Sequence, residues 1–227
     1  MSDDLVISKP NELVKPSKYA TETAIAELGS GTEYIPYIQL MGSSSSIVKQ
    51  GKFPVGHFSC VKGKERIDLG EKFDAVILGM RPHAMQFGED FVSVYNPENP
   101  EFIRIKKAAQ NKQQGFSFGL EFLLYMQEFD EVGCYLFGNP SHQLEAPNVV
   151  TIFEKQNSIN EYVLAEFVSY LVPPNKKGHS WHVPQVRESE SAITKMIDAD
   201  RLGPIQEKFN NPPESEVETV DEDTRDM

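Results

Sequence analysis

The fold of this chain is decided by the stretch Gly119–Gly138, which has the sequence GLEFLLYMQEFDEVGCYLFG. An apolar run at Phe122–Met126 is followed by the polar segment Glu128–Gly133 and by a second apolar run at Cys134–Phe137. Two β-prone runs joined by a short polar segment that contains glycine predict an antiparallel hairpin. The first run is apolar on both faces of a strand, so we expect it at the centre of a β-sheet.

The composition predicts one globular core with flanking segments, since 39% of the 227 residues are hydrophobic and 25% are charged. No apolar stretch approaches the roughly 18 to 20 residues that span a bilayer. The first residues are acidic where a signal peptide would be basic, so we expect a cytoplasmic protein, in the host cytoplasm if the gene belongs to a phage. The two cysteines, Cys60 and Cys134, lie in predicted strands, which favours buried thiols over a disulfide.

The negative charge of the chain is concentrated at its C-terminal end. The net charge is −12, and the segment 214–227 contains seven acids and one base, which gives it −6. This composition cannot bury enough apolar surface to offset the loss of chain entropy, so residues 210–227 are predicted to form a disordered acidic tail. The tail has three possible uses, which are to compete with DNA for a cationic groove, to recruit partner proteins or to keep the protein soluble.

The remaining chain divides into an N-terminal arm at residues 1–33 and a domain at residues 34–209, with an insertion at about 88–118. The strand Tyr34–Met41 is predicted at a sheet edge because Pro36 cannot donate to a ladder. A helix is predicted at residues 147–156, and another at Ser189–Leu202 that Gly203 and Pro204 end. The further predicted strands are at about 55–69, 73–86, 162–172 and 180–186.

Catalytic signatures are missing from the sequence. It contains no glycine-rich phosphate loop, no GxSxG, no HExxH and no recognisable cysteine–histidine pairing. The five histidines show no paired spacing of the kind that zinc sites use. We therefore expect a protein that is not an enzyme and needs no cofactor or metal.

Three segments contain bases and no acids, namely Gly42–Lys64, Arg104–Lys112 and Val172–Arg187, and aromatic residues lie in or beside each of them. Cations that neutralise phosphates, interleaved with rings that stack on bases, are typical of grooves for single-stranded nucleic acid. A lone tryptophan beside a strand is more often a core residue than a platform, so both places stay open for Trp181. The predicted nucleic-acid-binding residues are Lys49, Lys52, Phe53, Lys62, Lys64, Arg66, Arg81, Arg104, Lys106, Lys107, Lys112, Phe116, Lys176, Lys177, His179 and Trp181.

With these features the sequence resembles the phage-type single-stranded DNA-binding proteins over about Tyr34–Arg187. The shared features are the β-rich core, the basic and aromatic residues in its strands and loops, and the acidic C-terminal tail. A helix between the third and fourth predicted strands also matches the oligonucleotide-binding (OB) barrel. The resemblance implies a mainly β, α+β fold, which is an OB-like antiparallel β-barrel with a C-terminal helix and a disordered acidic tail.

The function that this resemblance implies is sequence-independent, non-catalytic binding of single-stranded DNA in phage DNA replication or recombination. The expected partners are single-stranded DNA and, through the acidic tail, replication or recombination proteins, and no membrane. The alternative is an acidic protein–protein interaction or host-takeover factor of a phage that does not bind nucleic acid.

Overall fold

The computed structural model describes residues 35–62, 65–87, 91–175, 178–195 and 197–212. The strands are β1 (Tyr37–Leu40), β2 (Phe58–Lys62), β3 (Glu65–Gly70), β4 (Lys72–Gln86), β5 (Val92–Val94), β6 (Phe116–Met126), β7 (Glu131–Leu136), β8 (Leu164–Val172) and β9 (Trp181–Glu188). The helices are α1 (Ser46–Lys49), α2 (Pro100–Gln110), α3 (Pro140–Gln143), α4 (Ala146–Ile159) and α5 (Ala199–Asn210).

All nine strands belong to one mixed sheet in the order β3-β2-β1-β7-β6-β4-β8-β9, and β5 pairs with β4. The pairing of β1 with β7 is parallel, whereas the other pairs are antiparallel. The sheet is open, with β3 and β9 at its ends. The fold is therefore α+β, and the predicted OB-like antiparallel barrel is wrong, because that barrel is a five-stranded Greek key, whereas this mixed sheet has nine strands and does not close.

The predicted central hairpin is confirmed. Strands β6 and β7 pair in antiparallel register from Glu121↔Leu136 to Met126↔Glu131, near the middle of the sheet. Leu123 and Leu124 are both fully buried, and they belong to the cores on opposite faces of the sheet. A strand that is apolar on both faces is thus covered on both sides, as its sequence predicts.

The first strand is in the interior of the sheet, so its predicted edge position is wrong. β1 lies between β2 and β7. Pro36 precedes the strand, and its carbonyl accepts a hydrogen bond from the Cys134 amide at 2.7 Å. The proline therefore removes no ladder donor from the strand, since only its acceptor is used in pairing.

Strand β4 has a β-bulge between Ile77 and Gly79, and one glutamine from each face of the sheet donates a hydrogen bond to its backbone. Gln156 of α4 donates to the Ile77 carbonyl at 2.9 Å, and Gln206 of α5 donates to the Leu78 carbonyl at 2.6 Å. Both glutamines are buried. A bulge disrupts the ladder locally, and buried carbonyls need partners, so these two side chains attach the helices to the bulge.

Helix α4 covers one face of the sheet and α5 covers the other. The helix predicted at residues 147–156 is confirmed as α4, which begins with Pro147 in its first turn. The helix predicted at Ser189–Leu202 is wrong, because α5 begins after the cap Asp198 and contains Pro204. Tertiary packing outweighs the local signal here, since Leu202 and Phe209 are both buried against the sheet.

The remaining expectations have different outcomes. Cys60 and Cys134 are buried free thiols, as predicted. The insertion at about 88–118 contains β5, α2 and the start of β6. The predicted arm at residues 1–33 lies outside the described residues, and so does the acidic segment 214–227. In the described part of the chain, no helix is long and apolar enough to cross a membrane.

Candidate nucleic-acid interface

A cation of β3, Arg66, lies over Phe53 of the first basic segment. The guanidinium carbon of Arg66 lies 6.0 Å from the centroid of the Phe53 ring, and His57 packs edge-on against Phe53 at 6.5 Å. Arg66 also donates to Ser59 Oγ at 2.6 Å, and His57 Nδ1 lies 3.0 Å from a carboxylate oxygen of Asp68. The arginine is therefore held in place beside the half-buried Phe53.

The loop at residues 51–57 meets the edge strand β9 at Gly56. This glycine has a φ of +80°, and a Cβ built on it would clash with the ring of His182. His182 Nδ1 lies 2.8 Å from Ser169 Oγ of β8. Only glycine allows both this backbone conformation and this close approach, so the first basic segment lies directly against the third.

Helix α3 continues the line of contacts from β9. The His142 ring lies beside the backbone of His182, and its Nδ1 lies 3.3 Å from the Tyr135 hydroxyl. Burial lowers the pKa of His142 to about 4, so the ring is neutral at pH 7. The next residue, Gln143, donates to the carbonyl of Phe118 at 2.6 Å, which ties α3 to the start of β6.

The second basic segment lies on α2 and faces the start of β6. The Asn99 side chain caps this helix by accepting from the Glu101 amide, and Pro100 follows in the first turn. Phe102, Ile105 and Ala108 pack inward. Two cations lie over rings of β6, with Arg104 5.7 Å from the Phe116 centroid and Lys106 5.8 Å from the Phe118 centroid.

The structure thus joins the three acid-free segments through α3. Gly56 contacts His182, His182 contacts His142, and Gln143 contacts Phe118, over which Lys106 lies. We call this line of contacts, together with the cations Arg66, Arg104 and Lys106 that lie over rings beside it, the α3 interface. Arg104 is partly neutralised by Glu101 at 2.7 Å. Within the described residues, no ion pair involves Lys49, Lys52, Lys106, Lys107 or Lys112.

The other predicted residues lie in several places. His179 and Trp181 are exposed near the end of the β8–β9 hairpin. Trp181 is therefore a surface residue and not a core residue. Lys62 ends β2. Lys64, Lys176 and Lys177 lie outside the described residues. Sequence reasoning missed His142, Gln143 and His182, because the chain carries no local sign that α3 connects β6 to β9.

Arg81 alone among the described candidates is buried, with 3% of its surface exposed. Its Nε donates to Glu121 at 2.6 Å and its Nη1 donates to the Phe209 carbonyl at 2.5 Å. The guanidinium carbon lies 3.6 Å from the Tyr95 ring and 4.0 Å from the Phe209 ring. The arginine therefore faces the interior, where it holds α5 to the sheet.

Glu121 is the acceptor at the centre of this buried network. Its other carboxylate oxygen accepts from the Tyr37 hydroxyl at 2.7 Å and lies 3.0 Å from His83 Nδ1. Burial raises the pKa of Glu121, but Arg81, His83 and the hydrogen bonds outweigh it and lower the pKa well below its ordinary value. Burial lowers the pKa of His83 and raises that of Tyr37, so the network contains one carboxylate, one guanidinium and neutral partners.

The sequence does not reveal the Arg81 network, and the reason is physical. Glu121 stands just before the apolar run Phe122–Met126, where a charged residue needs a buried partner. That position could have signalled a buried ion pair, but nothing local points to Arg81 or His83, which come from another strand. Among the described residues, no group of three His, Cys, Asp or Glu side chains could hold a metal ion.

Comparison with protein-family models, with curated proteins and with solved structures finds no match to this chain.

Proposed function

We propose that this chain is a non-catalytic protein that binds single-stranded DNA without sequence preference, in phage DNA replication or recombination. The observation that carries the proposal is the meeting of three acid-free basic segments along the α3 interface. Such a line of cations and rings offers what a single strand needs, which is neutralisation of its phosphates and faces on which its bases stack.

The cation–ring pairs supply the second support. Phe53, Phe116 and Phe118 are each half-buried beside a cation, so one part of each ring packs inward while another stays accessible. A base can approach the accessible part while the cation contacts a neighbouring phosphate. Contacts of this kind involve the backbone and the π-faces common to all bases, which is why sequence preference is not expected.

The lysines of α2 provide the direct test. Lys106 and Lys107 are exposed, so reversing both to glutamate should leave the fold intact and weaken binding to all single-stranded sequences alike. Fluorescence anisotropy with labelled single-stranded and duplex oligonucleotides over a salt series measures this. The slope of log Kd against log salt should fall by about 0.7 for each phosphate of a single strand that the variant no longer neutralises.

The matched control is Lys195→Glu, which is compared with the single reversal Lys106→Glu because both change the charge by the same amount. Lys195 is an exposed lysine near Asp130, which lies in the turn between β6 and β7, at the other end of this hairpin from Gln143 and Phe118. Its reversal should leave the affinity and the salt slope nearly unchanged. If the unmodified protein fails to bind a single-stranded oligonucleotide at low salt, the proposal is wrong. Equal reductions of affinity in Lys195→Glu and in the single variant Lys106→Glu would mean that net charge, and not the α3 interface, governs binding.

A further inference from the structure

Two aromatic side chains stand exposed on one face of the β8–β9 hairpin. Tyr170 is 44% exposed and Trp181 is 40% exposed. In the register of the hairpin, Trp181 is opposite Val172 and Tyr170 is opposite Val183, so the two rings are diagonal neighbours on the same face. Diagonal positions in an antiparallel pair are roughly 7–8 Å apart, which is within reach of large side chains.

The opposite face of the same hairpin belongs to the α3 interface. Leu171 and His182 are paired there, and His182 is the residue that contacts Gly56 and His142. β9 is an end strand of the sheet, so a flexible chain that follows the α3 interface can pass around this edge. Beyond the edge it meets Tyr170 and Trp181.

We propose that Tyr170 and Trp181 form a platform that stacks two bases of a single DNA strand as it crosses β9 from the α3 interface. The proposal rests on the proposed function. Charge favours this occupant, because the sequence from Val172 to Arg187 contains bases and no acid. The carboxylate that shares this face on β8, Glu166, lies between Arg187 at 2.5 Å and Lys72 at 3.6 Å, so it does not present an unbalanced negative charge.

The edge strand itself argues against another protein chain as the occupant. Pro184 lies in the middle of β9 and has no N–H group to donate to an added strand. Proline in an edge strand is a common protection against pairing with a second chain. Bases that stack on rings need no backbone donor, so this edge suits a polynucleotide better than a β-strand.

The platform can be tested by fluorescence because Trp181 is the one tryptophan of the 227-residue sequence. Titration with an oligothymidylate of about 16 nucleotides should quench the emission of Trp181. Tyr170→Ala should weaken binding by about 5- to 150-fold, the reduction expected for one stacked base, with an unchanged melting temperature. Trp181→Ala should weaken binding to a similar degree, and Trp181→Phe should restore most of the affinity because it keeps a ring.

Ile159→Ala is the matched control, since Ile159 is a 47% exposed apolar side chain at the end of α4 and lies outside both the α3 interface and the β8–β9 hairpin. It should change the affinity less than twofold. Unquenched tryptophan emission at saturating DNA, or full affinity of Tyr170→Ala, would overturn the platform while the proposed function stands. No binding by the unmodified protein would overturn both. A dimer that Tyr170→Ala dissociates in sedimentation would assign the platform to a second copy and overturn the proposal.

Discussion

The Arg81 network and helix α2 both place a cation over aromatic rings, and they differ in burial. In the Arg81 network the guanidinium lies 3.6 Å from the Tyr95 ring and 4.0 Å from the Phe209 ring, and it is bound to buried Glu121. On α2 the guanidinium of Arg104 lies 5.7 Å from the Phe116 ring, and its carboxylate partner Glu101 is itself partly exposed.

The difference shows what a basic residue beside an aromatic one can do. A buried guanidinium is costly unless a carboxylate and hydrogen bonds compensate its desolvation, so the groups around Arg81 are fixed by the fold. An exposed guanidinium keeps much of its hydration and can exchange one anionic partner for another at little cost. The first arrangement holds a helix, and the second is suited to contact a phosphate.

The largest expected effect is on stability, from Arg81→Met. This change leaves Glu121 buried without its cation and removes the bond to the Phe209 carbonyl, so the free energy of unfolding should fall by about 3–5 kcal/mol. Urea denaturation monitored by circular dichroism measures the decrease. α5 should become easier to detach, because Arg81 is one of its anchors.

The comparison variant is Arg104→Met, which removes the exposed guanidinium of α2 that lies over the Phe116 ring. It should change the free energy of unfolding by less than about 1 kcal/mol and should weaken the binding of single-stranded DNA. Arg81→Met, if it folds at low temperature, should bind DNA normally. Similar decreases of stability in the two variants would contradict the distinction between the regions.

His142 lies at the boundary between the core and the α3 interface. Its protonation is expected to have the next largest effect on the free energy of unfolding. Its pKa is about 4 in the folded protein because of burial, against about 6.5 in an unfolded chain. Between these values the unfolded chain binds more protons, so stability is fully present above about pH 6.5 and falls as the pH is lowered to about 4. The decrease amounts to at most about 3 kcal/mol.

His142→Gln should remove this part of the pH dependence, because glutamine does not titrate. Burial also lowers the pKa of His83, so a smaller acid-dependent decrease should remain in the variant. Urea midpoints of both proteins at several pH values between about 4 and 7 provide the measurement. Parallel curves for the two proteins would show that His142 keeps an ordinary pKa.

The sequence predicted the parts of this fold that depend on local pattern. The hairpin of β6 and β7, helix α4 and the buried thiols follow from apolar periodicity and composition, and all are confirmed. The sheet order could not be predicted, because the parallel pairing of Tyr37 with Cys134 joins residues far apart in the chain. Helix α5 was misplaced because Pro204 breaks the local pattern, while buried Phe209 decides the outcome.

The candidate site was likewise predictable only in the parts that depend on local sequence pattern. The acid-free segments are visible in the sequence, but their meeting depends on α3 and on the close approach of Gly56 to His182. Arg81 was grouped with the surface cations, because a base next to a proline at a strand end has no local feature that reveals its burial. Its partner Glu121 lies on another strand, so only the three-dimensional structure pairs them.

The smallest expected effect comes from deleting residues 214–227, which lie outside the described residues and hold a net charge of −6. If the α3 interface binds DNA, a linked acidic segment competes for the same cations, so its deletion should tighten binding to single-stranded DNA at low salt. The gain should shrink as the Debye length falls from about 10 Å at 0.1 M salt to about 3 Å at 1 M. Anisotropy titrations of both proteins over the salt series measure it.

The same deletion separates competition from a structural role of the segment. Its sequence has seven acids and no apolar periodicity, so its removal should leave the melting temperature unchanged. A truncated protein that melts several degrees lower would mean that the segment packs on the rest of the chain. A truncated protein that is equally stable and binds DNA no better at low salt would leave the segment with the other two uses, solubility or the recruitment of partners. Tighter binding with unchanged stability is the result expected if the surface cations, unlike buried Arg81, are able to exchange one anion for another.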